Sequence, residues 1–213
     1  MRRFLLDNWQ GHEQARAHIL RHACYFGNDN DAADAMVNRI ACSVSQAARP
    51  YTPYRGGQYI FGTLVGYELA HVVMGKEAPA SADGRFAGDP FAASISPFPG
   101  ADISGVTAYL RSAAKLDGHY LPSSVVVNLA LDRKTADTPE KRQRLAALFM
   151  AYFRLGGVQL QINYLSADEL IRAQQNPACY RSLRVRVTGF SGFFTTFNKD
   201  LQDELIHRSL HQY

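Results

Sequence analysis

One short segment near the C-terminus limits most strongly what this chain can fold into. Residues 184–194 read R-V-R-V-T-G-F-S-G-F-F, in which a basic, β-branched run leads to a single glycine, Gly189, and an aromatic turn. Branched residues in such a run favour a strand, and a glycine at its end favours a turn with positive φ. Residues 199–211 then carry the spacing of an amphipathic helix. The pattern predicts a strand, a glycine tip and a closing helix, in that order.

The composition is that of a globular protein with one domain or two small ones. The 213 residues are 46% hydrophobic and 20% charged, and the net charge of +4 comes from bases scattered among acids. We expect no nucleic-acid partner, because such binding needs clustered bases. No apolar run approaches the roughly 18 residues that span a bilayer, so we expect no membrane association. The start of the chain lacks the long apolar core of a signal peptide, and we expect a cytoplasmic protein.

Three cysteines, Cys24, Cys42 and Cys179, stand far apart in the sequence. None forms a CxxC pair, and none pairs with a histidine at the spacing of a zinc site. We interpret them as reduced, incidental thiols and expect no metal site.

Helical and strand-like patterns alternate along most of the chain. Cap signals at 28–31 (N-D-N-D) and at Thr138-Pro139 each precede a helical pattern. Residues 75–105 are rich in Gly, Pro, Ser and Asp with little periodicity, which predicts a long functional or closely packed loop. The alternation predicts an α/β fold with parallel strands. Helices are expected over 11–24, 32–49, 106–116, 139–155 and 166–176, and strands over 51–66, 124–131, 158–164 and 183–188.

The glycine segment resembles the radical-bearing segment of the glycyl radical enzymes. The signature of that family is an R-V-x-G-[FY] strand-to-loop tip, and it is filled here by Arg186, Val187, Thr188, Gly189 and Phe190. The tip continues with F-S and then F-F, which is similar to the dehydratase and C–X lyase branch. Pyruvate formate-lyase itself typically has Y-A-V-R-F at this point.

Further blocks that resemble the same family follow one another in order and cover nearly the whole chain. They are F-G-N-D-x-D at 26–31, H-x-x-x-G with D-G-R-x-x-G-x-P at 71–90, S-P-x-x-G-x-D with T-A-x-x-x-S at 96–112, Y-F-x-L-G-G followed by a strand with asparagine at 152–163, and Q-D-E-x-I-x-R at 202–208.

The resemblance implies a fold and a division of the chain. The family fold is a ten-stranded α/β barrel, built from two five-stranded halves around two loops. This chain would be its C-terminal portion, with the glycine loop near the C-terminus. Residues 1–118 would form the later part of the pyruvate formate-lyase-like barrel, and residues 119–213 would form the glycyl radical domain.

The resemblance also implies a role for Gly189, which would carry a radical on its Cα atom. Such a radical is stabilised when it is planar and conjugated with both flanking amides, and a side chain would twist that plane. No bound cofactor is expected, because an activating enzyme with S-adenosylmethionine and an iron–sulfur cluster would install the radical. Residues expected to support the loop are Arg186, Val187, Thr188, Phe190 and Ser191, and residues expected to form apolar walls around it are Val185, Val187, Phe190, Phe193 and Phe194.

The chain departs from the family in one respect that bears on function. Complete members carry a cysteine on a second loop that faces the glycine, and this loop lies upstream of the block at 26–31. None of the three cysteines has matching surroundings, so a partner chain would have to supply the thiol. Arg55, His71, Asp83, Arg85 and Asp102 are candidates either to line a pocket or to form ordinary salt bridges.

Three functions follow from the resemblance. In the first, the chain is the radical-bearing subunit of an anaerobic lyase, dehydratase or formate-lyase-like enzyme, and it passes the radical from Gly189 to a cysteine of a partner chain. In the second, it is a spare part that replaces the damaged end of an oxygen-cleaved, full-length enzyme. In the third, it is a catalytically incomplete fragment. The partners implied are the radical SAM activating enzyme and either the cysteine-bearing chain or the damaged enzyme.

Overall fold

The computed structural model describes residues 1–63, 70–187 and 189–210, and within them five helices precede the first strand, after which short strands and helices are interspersed. The helices are α1 (Arg2–Leu6), α2 (Glu13–His22), α3 (Asp31–Ala48), α4 (Ala70–Glu77), α5 (Gly105–Ala114), α6 (Pro139–Arg154), α7 (Ala167–Gln175) and α8 (Lys199–Leu210). The strands are β1 (Val127–Ala130), β2 (Leu160–Asn163), β3 (Arg184–Arg186) and β4 (Ser191–Phe193).

Side-chain caps set the starts of three helices. The Asn30 side chain accepts hydrogen bonds from the first-turn amides of α3, and Thr138 caps α6 directly before Pro139. Ser166 accepts from the amide of Glu169 at 3.2 Å and so begins α7. Each cap satisfies an amide that has no partner within its helix. The helix starts predicted from these residues are confirmed.

The strands form two separate pairs. β1 and β2 are parallel, with Val127 opposite Leu160 and Ala130 opposite Asn163. β3 and β4 are antiparallel and form a hairpin around Gly189. The α/β class and the parallel pairing are therefore confirmed, whereas β4 falls where the sequence indicated a turn.

The buried strand expected over 51–66 is wrong over residues 51–61. The chain turns here through a hydrogen bond from the amide of Gly56 to the carbonyl of Pro53. Tyr51 and Ile60 are exposed, and Tyr54 is fully so. The first strand-like contact is an isolated bridge between Gly62 and Ser124. Prolines and a glycine pair interrupt the aromatic run and favour turns; residues 64–66 lie outside the described range.

Two clusters of buried apolar side chains form the interior. The first packs α3, α5 and α6 against β1 and β2. The second packs α7 and α8 beneath the β3–β4 hairpin. Members of the second cluster are Val72, Leu165, Leu170, Ala173, Val185, Val187, Phe194, Leu201 and Leu205.

The division expected at residue 118 stays a prediction. The first cluster contains Ala41 and Leu110 from before this point and Leu121 and Leu129 from after it. The residues on the two sides of the expected boundary therefore share one interior.

An apolar stripe on α3 faces solvent. Met36, Ile40 and Val44 lie four residues apart and are 46%, 57% and 44% exposed. We call these three residues the α3 stripe. A line of large apolar residues at one face of a helix ordinarily packs against another element.

Among the described helices, none is long and apolar enough to cross a membrane.

A cluster of charges joins the start of α3 to the end of α5. The ammonium of Lys115 lies 2.7 Å from carboxylate oxygens of Asp29 and Asp31 and 2.8 Å from Asp34. The side chain of Asp34 is only 1% exposed. Partial burial lowers the pKa of Lys115, but its hydrogen bonds to the three carboxylates outweigh this and raise the pKa above its ordinary value.

We expect Lys115→Met to lower the free energy of unfolding by about 3 kcal/mol, because it leaves the buried carboxylate of Asp34 without its cation. The control is Lys141→Met, which breaks an exposed pair with Asp137 and should cost less than about 1 kcal/mol. Urea unfolding followed by circular dichroism measures both. Equal losses in the two variants would contradict a special role for the Lys115 cluster.

Candidate functional site

Gly189 lies at the tip of the β3–β4 hairpin. The amide of Val187 donates to the carbonyl of Phe190 at 2.9 Å and closes the turn that contains the glycine. Gly189 has a φ of +79°, a conformation that residues with a side chain adopt only at a cost. The tip is exposed. The sequence expectation of a glycine turn with positive φ is confirmed.

A buried glutamine of β2 lies beneath this tip. Gln161 is 6% exposed, and its Oε1 accepts a hydrogen bond from the amide of Gly189 at 3.1 Å. The same oxygen accepts from Nε of Arg186 at 3.3 Å. One side chain therefore binds both the strand that leads to the glycine and the glycine itself.

Two residues further along β2, Asn163 binds the backbone of β3. Its Oδ1 accepts from the amide of Arg186 at 2.7 Å, and its Nδ2 donates to the carbonyl of Arg186 at 2.5 Å. Residues i and i+2 of a strand point to the same face. The two polar side chains, Gln161 and Asn163, thus dock the hairpin on the β1–β2 pair.

The turn between α6 and β2 sets the position of Gln161. The ring of Tyr152 packs directly on Gly157, where a Cβ atom would have no room. Its hydroxyl donates to the carbonyl of Gln159 at 3.1 Å, and burial raises the pKa of Tyr152 to about 12, so the donor is protonated at neutral pH. Gly156 makes the turn with a φ of +106°. The Y-F-x-L-G-G block therefore forms the turn that places β2 beside the hairpin.

The structure brings the predicted support residues together around the tip, with different exposures. Arg186 is half-buried on β3, and Val187 lies in the second cluster. Phe190 is exposed and meets the ring of Phe197 edge to face at 6.5 Å. Ser191 is exposed at the start of β4. Thr188 lies outside the described residues.

The apolar walls expected around the glycine divide into two groups. Val185, Val187 and Phe194 are buried under the hairpin. Phe190 and Phe193 are 41% and 44% exposed. Among the described residues, the apolar material thus lies below the tip and does not enclose it.

A cavity of about 900 Å³ lies away from the tip between α2, α4, α8 and the long loop. Its lining includes His71 and Asp102 from the earlier candidates, but not Arg55, Asp83 or Arg85. Gly189 and Gln161 are not among its described lining residues. We place the candidate site at the tip, because the family resemblance predicts that the backbone of Gly189 carries the chemistry.

Two of the other candidate residues, Arg85 and His71, bind neighbouring elements of the fold. The buried guanidinium of Arg85 donates to the carbonyls of Pro79, Phe86 and Asp89 and so organises the long loop. His71 Nε2 lies 3.1 Å from Oε1 of Glu204, which joins α4 to α8 at one edge of the cavity.

The three cysteines all lie in the described part of the chain. Cys24 and Cys179 are exposed and Cys42 is half-buried, and all three are free thiols. Over 1–63, 70–187 and 189–210, no group of three or more His, Cys, Asp or Glu side chains could hold a metal ion.

Asn163 lies in a block that resembles the family, but no role was predicted for it, and Gln161 was not predicted. A usable signal was present, since Gln161 and Asn163 are polar residues at alternate positions of an otherwise apolar strand. Such a pattern indicates one polar face directed at a partner.

We expect Asn163→Leu to lower the free energy of unfolding by about 2 kcal/mol, because the amide and carbonyl of Arg186 lose their partners. The amide of Arg186 should also exchange with solvent faster in NMR measurements. Asn176→Leu changes an exposed residue at the end of α7 and serves as the control. Unchanged protection of Arg186 would show that Asn163 does not dock the hairpin.

Two family models match the chain. A model described as Glycine radical matches residues 91–195, and a model described as Pyruvate formate lyase-like matches residues 1–75. Gly189 and Gln161 both lie in the first range.

Curated relatives match almost the whole chain. The chain is 34% identical to the probable dehydratase YbiW of Escherichia coli, covering 97% of this chain and 26% of that protein. It is 31% identical to the trans-4-hydroxy-L-proline dehydratase of Clostridioides difficile, covering 95% of this chain and 25% of that protein. The chain thus spans about a quarter of the length of these relatives.

A solved structure also matches almost the whole chain. The glycerol-bound form of the B12-independent glycerol dehydratase from Clostridium butyricum superposes with a TM-score of 0.89 at 32% identity. The superposition covers 97% of this chain and 26% of that one.

Proposed function

Because the chain belongs to the glycyl radical enzyme family, we propose that it is the radical-bearing portion of an anaerobic dehydratase or lyase, with the radical stored on Gly189. One observation carries the proposal. Gly189 stands at a hairpin tip with a φ of +79°, and its amide is hydrogen-bonded to a buried glutamine. A glycine that only made a turn would not need a buried polar side chain to hold its amide.

The proposed installation of the radical removes one hydrogen atom from the Cα of Gly189. An activating enzyme would cleave S-adenosylmethionine with one electron from its reduced iron–sulfur cluster, which would release methionine and leave a 5′-deoxyadenosyl radical. That radical would take the hydrogen atom from Gly189 and become 5′-deoxyadenosine. The unpaired electron then spreads over the two flanking amides. The exposed position of Gly189 supports this step, because another protein has to reach the Cα–H bond.

The proposed use of the radical needs a thiol. Gly189 takes a hydrogen atom from a cysteine, which restores the glycine and leaves a sulfur-centred radical to attack the substrate. We assign that cysteine to a partner chain, because Cys24, Cys42 and Cys179 stand in none of the surroundings of the family's cysteine loop. The α3 stripe, which faces solvent, supports the presence of such a partner.

The relatives and the sequence of the tip support a proposal for the type of bond that is cleaved. The relatives include dehydratases and an isethionate sulfite-lyase, and the F-S-G-F-F sequence of the tip supports the dehydratase and lyase branch. We therefore propose elimination at a C–O, C–N or C–S bond of a small substrate, with formate-lyase-like C–C cleavage as the other reaction of the family.

The proposal predicts a radical at one position. Anaerobic incubation with a reduced activating enzyme and S-adenosylmethionine should give an EPR doublet from one α-hydrogen, and air should then cleave the chain at Gly189. Gly189→Ala should show neither the doublet nor the cleavage, with an unchanged circular dichroism spectrum. Ser182→Ala, an exposed residue in the turn before β3, is the control and should behave as the wild type. A doublet or retained turnover in Gly189→Ala would refute the assignment.

A second experiment separates a subunit from a spare part. Restored activity on mixing with an oxygen-cleaved, full-length enzyme of the family would identify a repair protein. Because both family models match this chain and together span more than the glycine segment, we expect activity instead with a separate chain that carries a cysteine loop. Activity with neither partner, despite a wild-type doublet, would identify a catalytically incomplete fragment.

A further inference from the structure

We propose that Gln161 is the positioning residue of the radical, and that its side-chain oxygen holds the amide of Gly189 and thereby stabilises the unpaired electron. This inference rests on the radical role proposed above for Gly189. No role was predicted for Gln161 from the sequence.

The orientation of the Gln161 amide follows from its neighbours. Gly189 N–H and Arg186 Nε–H can only donate hydrogen bonds, so the group that faces both of them is the carbonyl oxygen. The oxygen has two lone pairs and accommodates both donors. The reversed side chain would place its NH₂ group against two other donors.

Stability alone does not explain a glutamine at this place. The Nε2 atom of Gln161 is buried and has no hydrogen-bond partner among the described residues. A buried donor without a partner costs free energy, and an apolar residue of similar shape would avoid that cost. The first cluster already packs Leu160 and Ile162 of the same strand. The glutamine is therefore best explained by what its oxygen does.

The oxygen acts on the atom that donates electrons to the radical. A Cα radical between two amides is stabilised when the nitrogen on one side donates electron density and the carbonyl on the other side withdraws it. A hydrogen bond accepted from the N–H of Gly189 pulls the proton away from the nitrogen and leaves more density for donation. Because Gln161 is buried, this interaction is stronger than the same bond to water.

The hydrogen bond between Gly189 and Gln161 also holds the amide of Gly189 in place while the N–Cα bond of that residue rotates. At a φ of +79°, the amide before Gly189 is not coplanar with a planar radical centre, so conjugation needs rotation about the N–Cα bond. That rotation leaves the N–H in place. The Gly189–Gln161 bond is retained, and the opposing bond from Val187 to the carbonyl of Phe190 is the one that yields.

Two variants and one control test the proposal. Gln161→Met keeps the length of the side chain and removes the oxygen, whereas Gln161→Glu keeps an acceptor opposite Gly189. Gln175→Met changes an exposed glutamine at the end of α7. Circular dichroism confirms that all three fold.

The first readout uses the protein without a radical. Exchange of the Gly189 amide with solvent, followed by NMR, should be about tenfold faster in Gln161→Met, since one hydrogen bond is lost. It should stay near the wild-type rate in Gln161→Glu and Gln175→Met. Equal exchange in Gln161→Met and the wild type would overturn the proposal.

The second readout uses the activated protein under anaerobic conditions. Gln161→Met should alter the α-hydrogen splitting of the EPR doublet and shorten the lifetime of the radical, and Gln161→Glu should restore both. A wild-type doublet that Gln161→Met leaves unchanged in splitting and lifetime overturns this inference alone. Absence of a doublet from the wild type, with a competent activating enzyme, overturns the proposed function and this inference with it.

Discussion

The geometry of the glycine tip depends on the way β2 binds the backbone of β3. A strand of three residues such as β3 has few hydrogen bonds of its own, and its antiparallel partner β4 is equally short. Asn163 gives Arg186 the two hydrogen bonds that a neighbouring strand would give. Gln161 then extends the contact to Gly189. The hairpin is thus fixed at two points by side chains, above a core that holds Val185 and Phe194 from below.

Two of the blocks that resemble the family bind each other. Asn28 donates to the carbonyl of Ala101 at 2.7 Å and accepts from the amide of Ser104 at 3.0 Å, so the block at 26–31 holds the block at 96–112. Pro97 packs against Gly27 with no room for a side chain. The contacts between these two blocks are therefore contacts of the scaffold, and the chemistry that we propose lies at Gly189.

Local patterns allowed much of the fold to be predicted. Caps such as Thr138 and Ser166 act within four residues, so the starts of α6 and α7 could be read from the sequence. The expected family fold is supported by a TM-score of 0.89 to a solved dehydratase. Gln161 could not be predicted in the same way, because its contact with Gly189 joins positions 28 residues apart. The strand expected over 51–66 was wrong over 51–61, because prolines and a glycine pair interrupt the aromatic run there and favour turns.

The exposure of the tip gives the strongest argument for a partner. A stored radical needs surroundings that exclude oxygen and water, yet the described side chains pack beneath Gly189 and leave Phe190 and Phe193 open to solvent. The α3 stripe is a second apolar surface without a described cover. This chain spans about a quarter of its relatives and holds the amide of Gly189 through Gln161, whereas its described residues form no walls around the tip. The radical that we propose for Gly189 needs both a fixed amide and a dry enclosure, and the described residues provide the first.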